Sequence, residues 1–130
     1  MIYLDSSAIT KLALREDESQ ALRDYLAENG DTAQVTSAVS LTEVPRAVAR
    51  SQPLALTAVY QALDLMKRVR IDGSVLMSAA SLPPLTLRSL DAIHLASALA
   101  VRKHLTAFIS YDQKLVAAAT FHELPAEMPS

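Results

Sequence analysis

The sequence predicts an α/β domain built on a mainly parallel sheet. Three observations carry this. Short β-rich runs alternate along the chain with segments whose apolar residues recur at helical spacing. Such alternation marks parallel sheets, because parallel strands need helical crossovers between them. Hydrophobic residues make up 51% of the chain and only two residues are glycine, so a core can form and few helices are interrupted. At 130 residues the chain has the size of one domain, 1–130, and it shows no repeat, linker or low-complexity segment.

The elements follow in order. "IYL" is a short strand that stops at Asp5, and "SSAITKLAL" is a helix for which Ser6 or Ser7 can serve as N-cap. Between Asp17 and Asn29, Ala21, Leu22, Tyr25 and Leu26 recur on one face, and "NG" ends that helix. "AQVTSA" is a strand. A helix runs from Ser37 or Ser40 to Arg50, with Pro45 as an awkward interior residue. Pro53 opens the next helix, whose Leu56, Val59, Tyr60, Leu63 and Met66 line one side. "VRI" is a short strand closed by "DG", and "SVLMSAASL" is a helix stopped by Pro83-Pro84. The region from Arg88 to Leu105 is helical, "AFIS" is a strand, and "DQKLVAAAT" is a helix capped by Asp112. "TFHELP" is the candidate for a last edge strand.

Composition narrows the function. With no cysteine, the chain has no disulfide framework, thiol nucleophile or Cys-ligated zinc. The opening "MIYLDSS" is not a secretory signal, and no apolar run is long enough to span a bilayer. A soluble, intracellular protein with no membrane partner is expected. The net charge of −2 does not announce nucleic-acid binding, which would need a local basic patch.

Four of the 14 acids stand apart from the polar runs that hold the rest. Asp5 and Asp112 follow apolar strands, Glu43 lies in "SLTEVPRAVAR", and Asp91 sits in the apolar stretch "TLRSLDAIHLASALAV". Each has a structural explanation. Asp5 and Asp112 fit N-caps, Glu43 lies three residues after Ser40 as in a capping box, and Asp91 suits a first helical turn. Together they suggest more. Strand ends and the following helix N-termini share the sheet edge at which open parallel sheets bind ligands. Carboxylates gathered there cannot all stay ionised without a counter-ion. A hard cation, Mg²⁺ or Mn²⁺, takes such oxygen ligands and supports phosphodiester cleavage.

The pattern "IYLDSSA…SAVSLTEVPRA…LRSLDAIHLASA…FISYDQKL" resembles the PIN domain, specifically the toxins of VapBC-type bacterial toxin–antitoxin pairs. It covers nearly the whole chain, and "LDAIHLASA" is its most specific part. The resemblance implies a three-layer α/β/α fold and a metal-dependent endoribonuclease with one or two Mg²⁺ or Mn²⁺ ions. It implies that Asp5, Glu43, Asp91 and Asp112 are the catalytic, metal-binding acids, with Ser6 and Ser110 as hydroxyl companions. It also implies an RNA substrate, a VapB-type antitoxin partner, a homodimer, and a bacterial cytoplasmic location.

Among the supporting residues, Arg46 and Arg50 can guide RNA phosphates or pair with acids on their own helix. Lys11, Arg15 and Arg88 read first as solvated surface. His94, three residues past Asp91, reads as a half-buried or surface histidine before it reads as a general base. Pro45 can redirect Glu43. The stripe from Leu54 to Met66 reads as core, any exposed part being free for a partner. Two rival classes remain at this stage. One is a Mg²⁺-dependent phospho-acceptor domain of receiver type, which would need paired acids after the first strand. The other is a non-catalytic binding module whose acids are only caps.

Overall fold

A computed structural model describes all 130 residues. Five strands form one sheet in the order β3-β2-β1-β4-β5, and every pairing is parallel. The strands are β1 (Ile2–Leu4), β2 (Gln34–Ser37), β3 (Lys67–Val69), β4 (Ala107–Ile109) and β5 (Ala126–Glu127). Seven helices cover it: α1 (Ser6–Ala13), α2 (Ser19–Glu28), α3 (Ser40–Ser51), α4 (Leu56–Asp64), α5 (Gly73–Ser81), α6 (Ser89–Ala100) and α7 (Gln113–Phe121).

The three layers follow from the pleat. Successive strand residues face opposite sides of a sheet. Ile2 and Leu4 of β1, with Ala107 and Ile109 of β4, pack into a core formed with α1 to α4 through Ile9, Leu22, Val44, Val48, Val59 and Leu63. Tyr3 and Phe108 point the other way, into a core with Leu95 and Ala98 of α6 and Leu115 and Ala119 of α7. Helix α5 joins that side through Val75 and Ala79, which meet Ala92 and Ala96. Being covered on both faces, β1 and β4 are apolar at every position.

Several boundaries differ from the sequence expectation. The cap of α1 is neither Ser6 nor Ser7. Asp5 takes that place and accepts from the Ala8 N–H at 2.9 Å. A carboxylate at the strand end reaches the free N–H without a further residue. No capping box forms at α3, since Ser40 is already helical and its hydroxyl pairs with Thr36 at 2.8 Å. Pro45 lies within α3 and does not end it. Pro53 opens a single 3₁₀ turn, Pro53–Ala55, before α4 starts. Strand β3 is Lys67–Val69, not "VRI", because its register is set by pairing with Val35 to Ser37, and its Lys and Arg suit an edge. The long helix ends at Ala100, and a 3₁₀ turn, Arg102–His104, leads to β4. Such a turn cannot be told from helix by apolar spacing. The last strand is not "TFHELP": Thr120 and Phe121 belong to α7, and β5 begins after Pro125.

The order also bears on the phospho-acceptor rival. Receiver-type domains carry the strand order 2-1-3-4-5. Here β1 lies between β2 and β4, which puts the switch in strand order between β1 and β4. No helix is long and apolar enough to cross a membrane.

Candidate active site

The chain ends of β1 and β4 open side by side at that switch, where ligands bind in open α/β sheets. Asp5 leaves β1 there and is 3% exposed. Its Oδ1 accepts from the Ser7 hydroxyl (2.6 Å) and the Ala8 N–H (2.9 Å), and its Oδ2 accepts from the Ser110 hydroxyl (2.6 Å). Burial pushes the Asp5 carboxyl up, against the opposing pull of His94 and of these three donors. Ser110, fully buried after β4, also accepts from the Asp112 N–H at 3.0 Å. Ser7 in turn accepts from the Tyr111 N–H at 2.8 Å. The two chain segments are thus stitched together around Asp5.

Asp112 caps α7, accepting through Oδ1 from the N–H groups of Lys114 (2.9 Å) and Leu115 (3.2 Å). Asp91 occupies the first turn of α6 but caps nothing, and it shares a cleft with Asp112, Arg88 and Lys114. Its carboxyl is raised, first by burial and then by the negative charge of Asp112, with smaller contributions from Asp5 and Glu43. Glu43 reaches inward from α3. Its Oε1 accepts from the Ser6 hydroxyl (2.7 Å) and lies 2.8 Å from His94 Nε2. Burial alone would raise the Glu43 carboxyl, but these partners outweigh it and hold it below its ordinary value.

The four acids singled out in the sequence therefore lie in one field, and neither Lys nor Arg is paired with any of them. The cap reading holds for Asp5 and Asp112, and Asp112 also shares a cleft with Asp91. Ser6 and Ser110 do accompany the acids, on Glu43 and Asp5 respectively. Arg46 and Arg50 line a neighbouring cleft with Glu43, Ser6, Thr42 and Tyr111, and neither forms an ion pair. Lys11 is tied to Glu18 (2.8 Å) and Glu16 (3.3 Å), and Arg15 belongs to a separate surface dip. Arg88, read as solvated surface, is exposed and also borders Asp91 and Asp112.

His94 requires a correction. It is neither half-buried nor on the surface but 1% exposed, because its face of α6 packs on the sheet and its nitrogens find partners there. Ser7 and Tyr3 were missed as parts of the site. "DSS" held a signal for Ser7, whereas nothing in "IYL" distinguishes Tyr3 from a core aromatic.

As the side chains stand, no group of three or more His, Asp or Glu is arranged to hold a metal ion. Both oxygens of Asp5 and one each of Glu43 and Asp112 are turned to protein donors. Asp91 takes no hydrogen bond from the protein, and its raised carboxyl is that of an acid lacking a counter-charge. An all-carboxylate and hydroxyl donor set suits a hard, oxygen-binding divalent cation.

The chain matches the family model described as "PIN domain" over residues 2–120. Ribonuclease VapC35 of Mycobacterium tuberculosis is 40% identical over an alignment that covers 99% of this chain and 97% of the relative. Among solved structures, M. tuberculosis VapC20, described as a toxin that cleaves the sarcin–ricin loop, superposes with a TM-score of 0.74 at 16% identity. That match covers 91% of this chain and 95% of the other. VapBC2 of Rickettsia felis, solved with a DNA fragment from its promoter, gives 0.65 at 17% identity, with both chains covered completely.

Proposed function

The chain belongs to the PIN-domain family, among its VapC-type members, and on that premise we propose that it is a metal-dependent endoribonuclease and the toxin of a type II toxin–antitoxin pair. The whole of 1–130 acts as one such domain. The observation that carries the reading is Asp91, whose carboxyl is raised by burial, by Asp112 in the same cleft and by the more distant charges of Asp5 and Glu43, with no Lys or Arg paired to any of the four.

Asp5, Glu43, Asp91 and Asp112 would hold one or two Mg²⁺ or Mn²⁺ ions. Such a cation supplies the charge that activates water and stabilises phosphodiester cleavage. Ser7 and Ser110 fix the Asp5 carboxylate between them, and Ser6 does the same for one oxygen of Glu43. Arg46 and Arg50 bind RNA phosphate on the α3 side, and Arg88 and Lys114 offer two more cations beside Asp91 and Asp112. A strand crossing the cleft meets positive charge on each side of the acids. Few aromatics are available for stacking, so RNA shape and backbone contacts guide recognition.

A VapB-type antitoxin is the expected partner, and a homodimer the expected assembly. The Leu54 to Met66 stripe divides accordingly: Val59, Leu63 and Met66 are buried, whereas Leu54, Tyr60 and Leu65 are exposed and open to a partner. A bacterial cytoplasm suits this reading.

The test is cleavage of RNA by purified, partner-free protein with Mg²⁺, with Mn²⁺ and with chelator, alongside Asp91→Asn. Cleavage that needs the cation and disappears in the variant supports the reading. Cleavage that survives both chelator and the variant would refute it.

A further inference from the structure

Beneath the cleft lies a polar cluster that the chemistry above does not use. Tyr3 is completely buried and His94 nearly so. The Tyr3 Oη lies 2.8 Å from His94 Nδ1. On the other side of the ring, Nε2 lies 2.8 Å from Glu43 Oε1 and 3.0 Å from Ser6 Oγ. The cluster is closed off from solvent: Leu95, Ala96 and Ser97 of α6 are buried beside it, the Tyr3 ring stacks on Phe108 with centroids 5.2 Å apart, and Ser97 and the Ser37 backbone are further polar neighbours of the Tyr3 hydroxyl.

Two apolar side chains could fill this space, and exchanges that replace both partners of a buried hydrogen bond can be nearly neutral or even stabilising. What the polar pair adds is a donor aimed at Glu43. An ionised carboxylate offers only acceptors, so the ring nitrogen that faces it must carry a proton. A neutral imidazole has a single N–H, so Nδ1 is then an acceptor, and the Tyr3 hydroxyl is the donor within reach.

We propose that Tyr3 and His94 form a positioning relay for Glu43: the Tyr3 hydroxyl donates to Nδ1 and so holds the ring in the tautomer whose Nε2–H donates to Glu43 Oε1. The relay orients the carboxylate and leaves Oε2, which takes no hydrogen bond from the protein, for the cleft. Neither residue touches the reacting atoms. The inference rests on the reading of Glu43 as a site acid. It extends to this site the general finding that partners behind a ligand set its orientation, and that their loss lowers metal affinity or activity about 10- to 100-fold.

The test uses the full chain, wild type and three variants: His94→Leu, which removes the donor; His94→Gln, whose amide nitrogen can still donate to Glu43; and Tyr3→Phe, which removes one oxygen. Binding of Mn²⁺ alone is measured by calorimetry, RNA affinity in chelator, and thermal unfolding in parallel. One-bond ¹H–¹⁵N correlations of the His94 ring at neutral pH read the tautomer directly. The relay predicts a proton on Nε2. It predicts Mn²⁺ affinity reduced about tenfold or more in His94→Leu, restored most of the way in His94→Gln and reduced in Tyr3→Phe, with RNA affinity unchanged. Equal loss in His94→Leu and His94→Gln would mean that the ring acts by packing and would overturn the relay, as would a proton on Nδ1. If His94→Leu fails to fold, wild-type Mn²⁺ affinity in Tyr3→Phe overturns it. If the wild type neither binds Mn²⁺ nor cuts RNA, the nuclease reading falls, while the tautomer still decides the relay.

Discussion

Replacing Asp5 by Asn and by Ala separates its chemical role from its structural one. The carboxylate accepts three hydrogen bonds, from Ser7, Ala8 and Ser110. Asn keeps an oxygen for the first two. Its amide nitrogen then faces Ser110, whose hydroxyl can rotate and accept. Asp5→Asn should therefore stay within about 1 kcal/mol of wild type, the scale of one net hydrogen bond. Ala removes the cap, worth about 1 kcal/mol. It also takes the acceptor from two hydroxyls that lie 3.4 Å apart, of which Ser110 is fully buried, and a buried donor left unsatisfied costs about 1–3 kcal/mol. The sum, about 2–4 kcal/mol, lowers the melting temperature of a domain this size by roughly 10 °C. The sign of the pH effect follows from burial, which raises the Asp5 carboxyl. The folded state then binds the proton more tightly than the unfolded chain, so this group's contribution to stability falls as pH rises from the ordinary carboxylate value through the raised one. Asp5→Asn removes that loss and flattens the curve. The assay is thermal unfolding by circular dichroism in chelator across pH, together with Mn²⁺-supported RNA cleavage. A near-wild-type melt without cleavage supports a chemical role for Asp5. If Asn and Ala melt equally low, the charge is structural; if Asn cleaves like wild type, Asp5 leaves the site.

The other expectations concern the same cleft. Asp91→Asn removes a carboxyl raised by burial and by Asp112, so it should abolish cleavage while leaving metal-free stability equal or higher at neutral pH, read by the same melts. Glu43→Gln acts oppositely. Its lowered carboxyl contributes stability above the unfolded value that is lost as pH falls through the folded one, so the variant should be less stable than wild type at pH 7 and converge with it in acid. Asp112→Ser keeps a good cap and should hold stability within about 0.5 kcal/mol while cleavage is lost, whereas Asp112→Ala should cost about 1 kcal/mol more. Arg46→Ala with Arg50→Ala should weaken RNA binding in chelator and reduce the slope of log K against log salt by about 1.4, two single-strand phosphate contacts. An unchanged slope would place the RNA elsewhere.

The sheet was legible because its signals are local. "IYL" and "AFI" are apolar at every position since both faces of β1 and β4 are covered, and each is followed directly by a polar residue. Asp5 and Asp112 could be picked out by the same logic, as charges just past apolar strands, and Asp91 as a charge inside an apolar helix. Misjudged boundaries had non-local causes. Strand β3 is placed by its pairing with β2, and β5 by Phe108, whose N–H bonds the Pro125 carbonyl. His94 was misread because burial depends on which face of α6 meets the sheet, and an almost wholly apolar helix carries little signal of facing. Tyr3 and His94 are 91 positions apart, a pairing that only the fold creates.

Caps and site acids are not rival explanations in this architecture. A parallel sheet puts the end of each strand beside the start of the next helix, on the same edge. An acid that caps such a helix has its carboxylate fixed by backbone donors and its remaining valence turned toward the ligand edge. Asp5 and Asp112 are held this way, one by Ala8 and two serines, the other by Lys114 and Leu115. Asp91 and Glu43 lack a cap role, and their environments diverge: Asp91 stands without a hydrogen-bond partner and is raised, while Glu43 is bound by Ser6 and His94 and lowered. A cation entering the cleft would gain most from the acid that has no other partner. The residue whose removal should most weaken cation binding at least cost to the fold is therefore Asp91, the one acid of the four that the protein itself leaves unsatisfied.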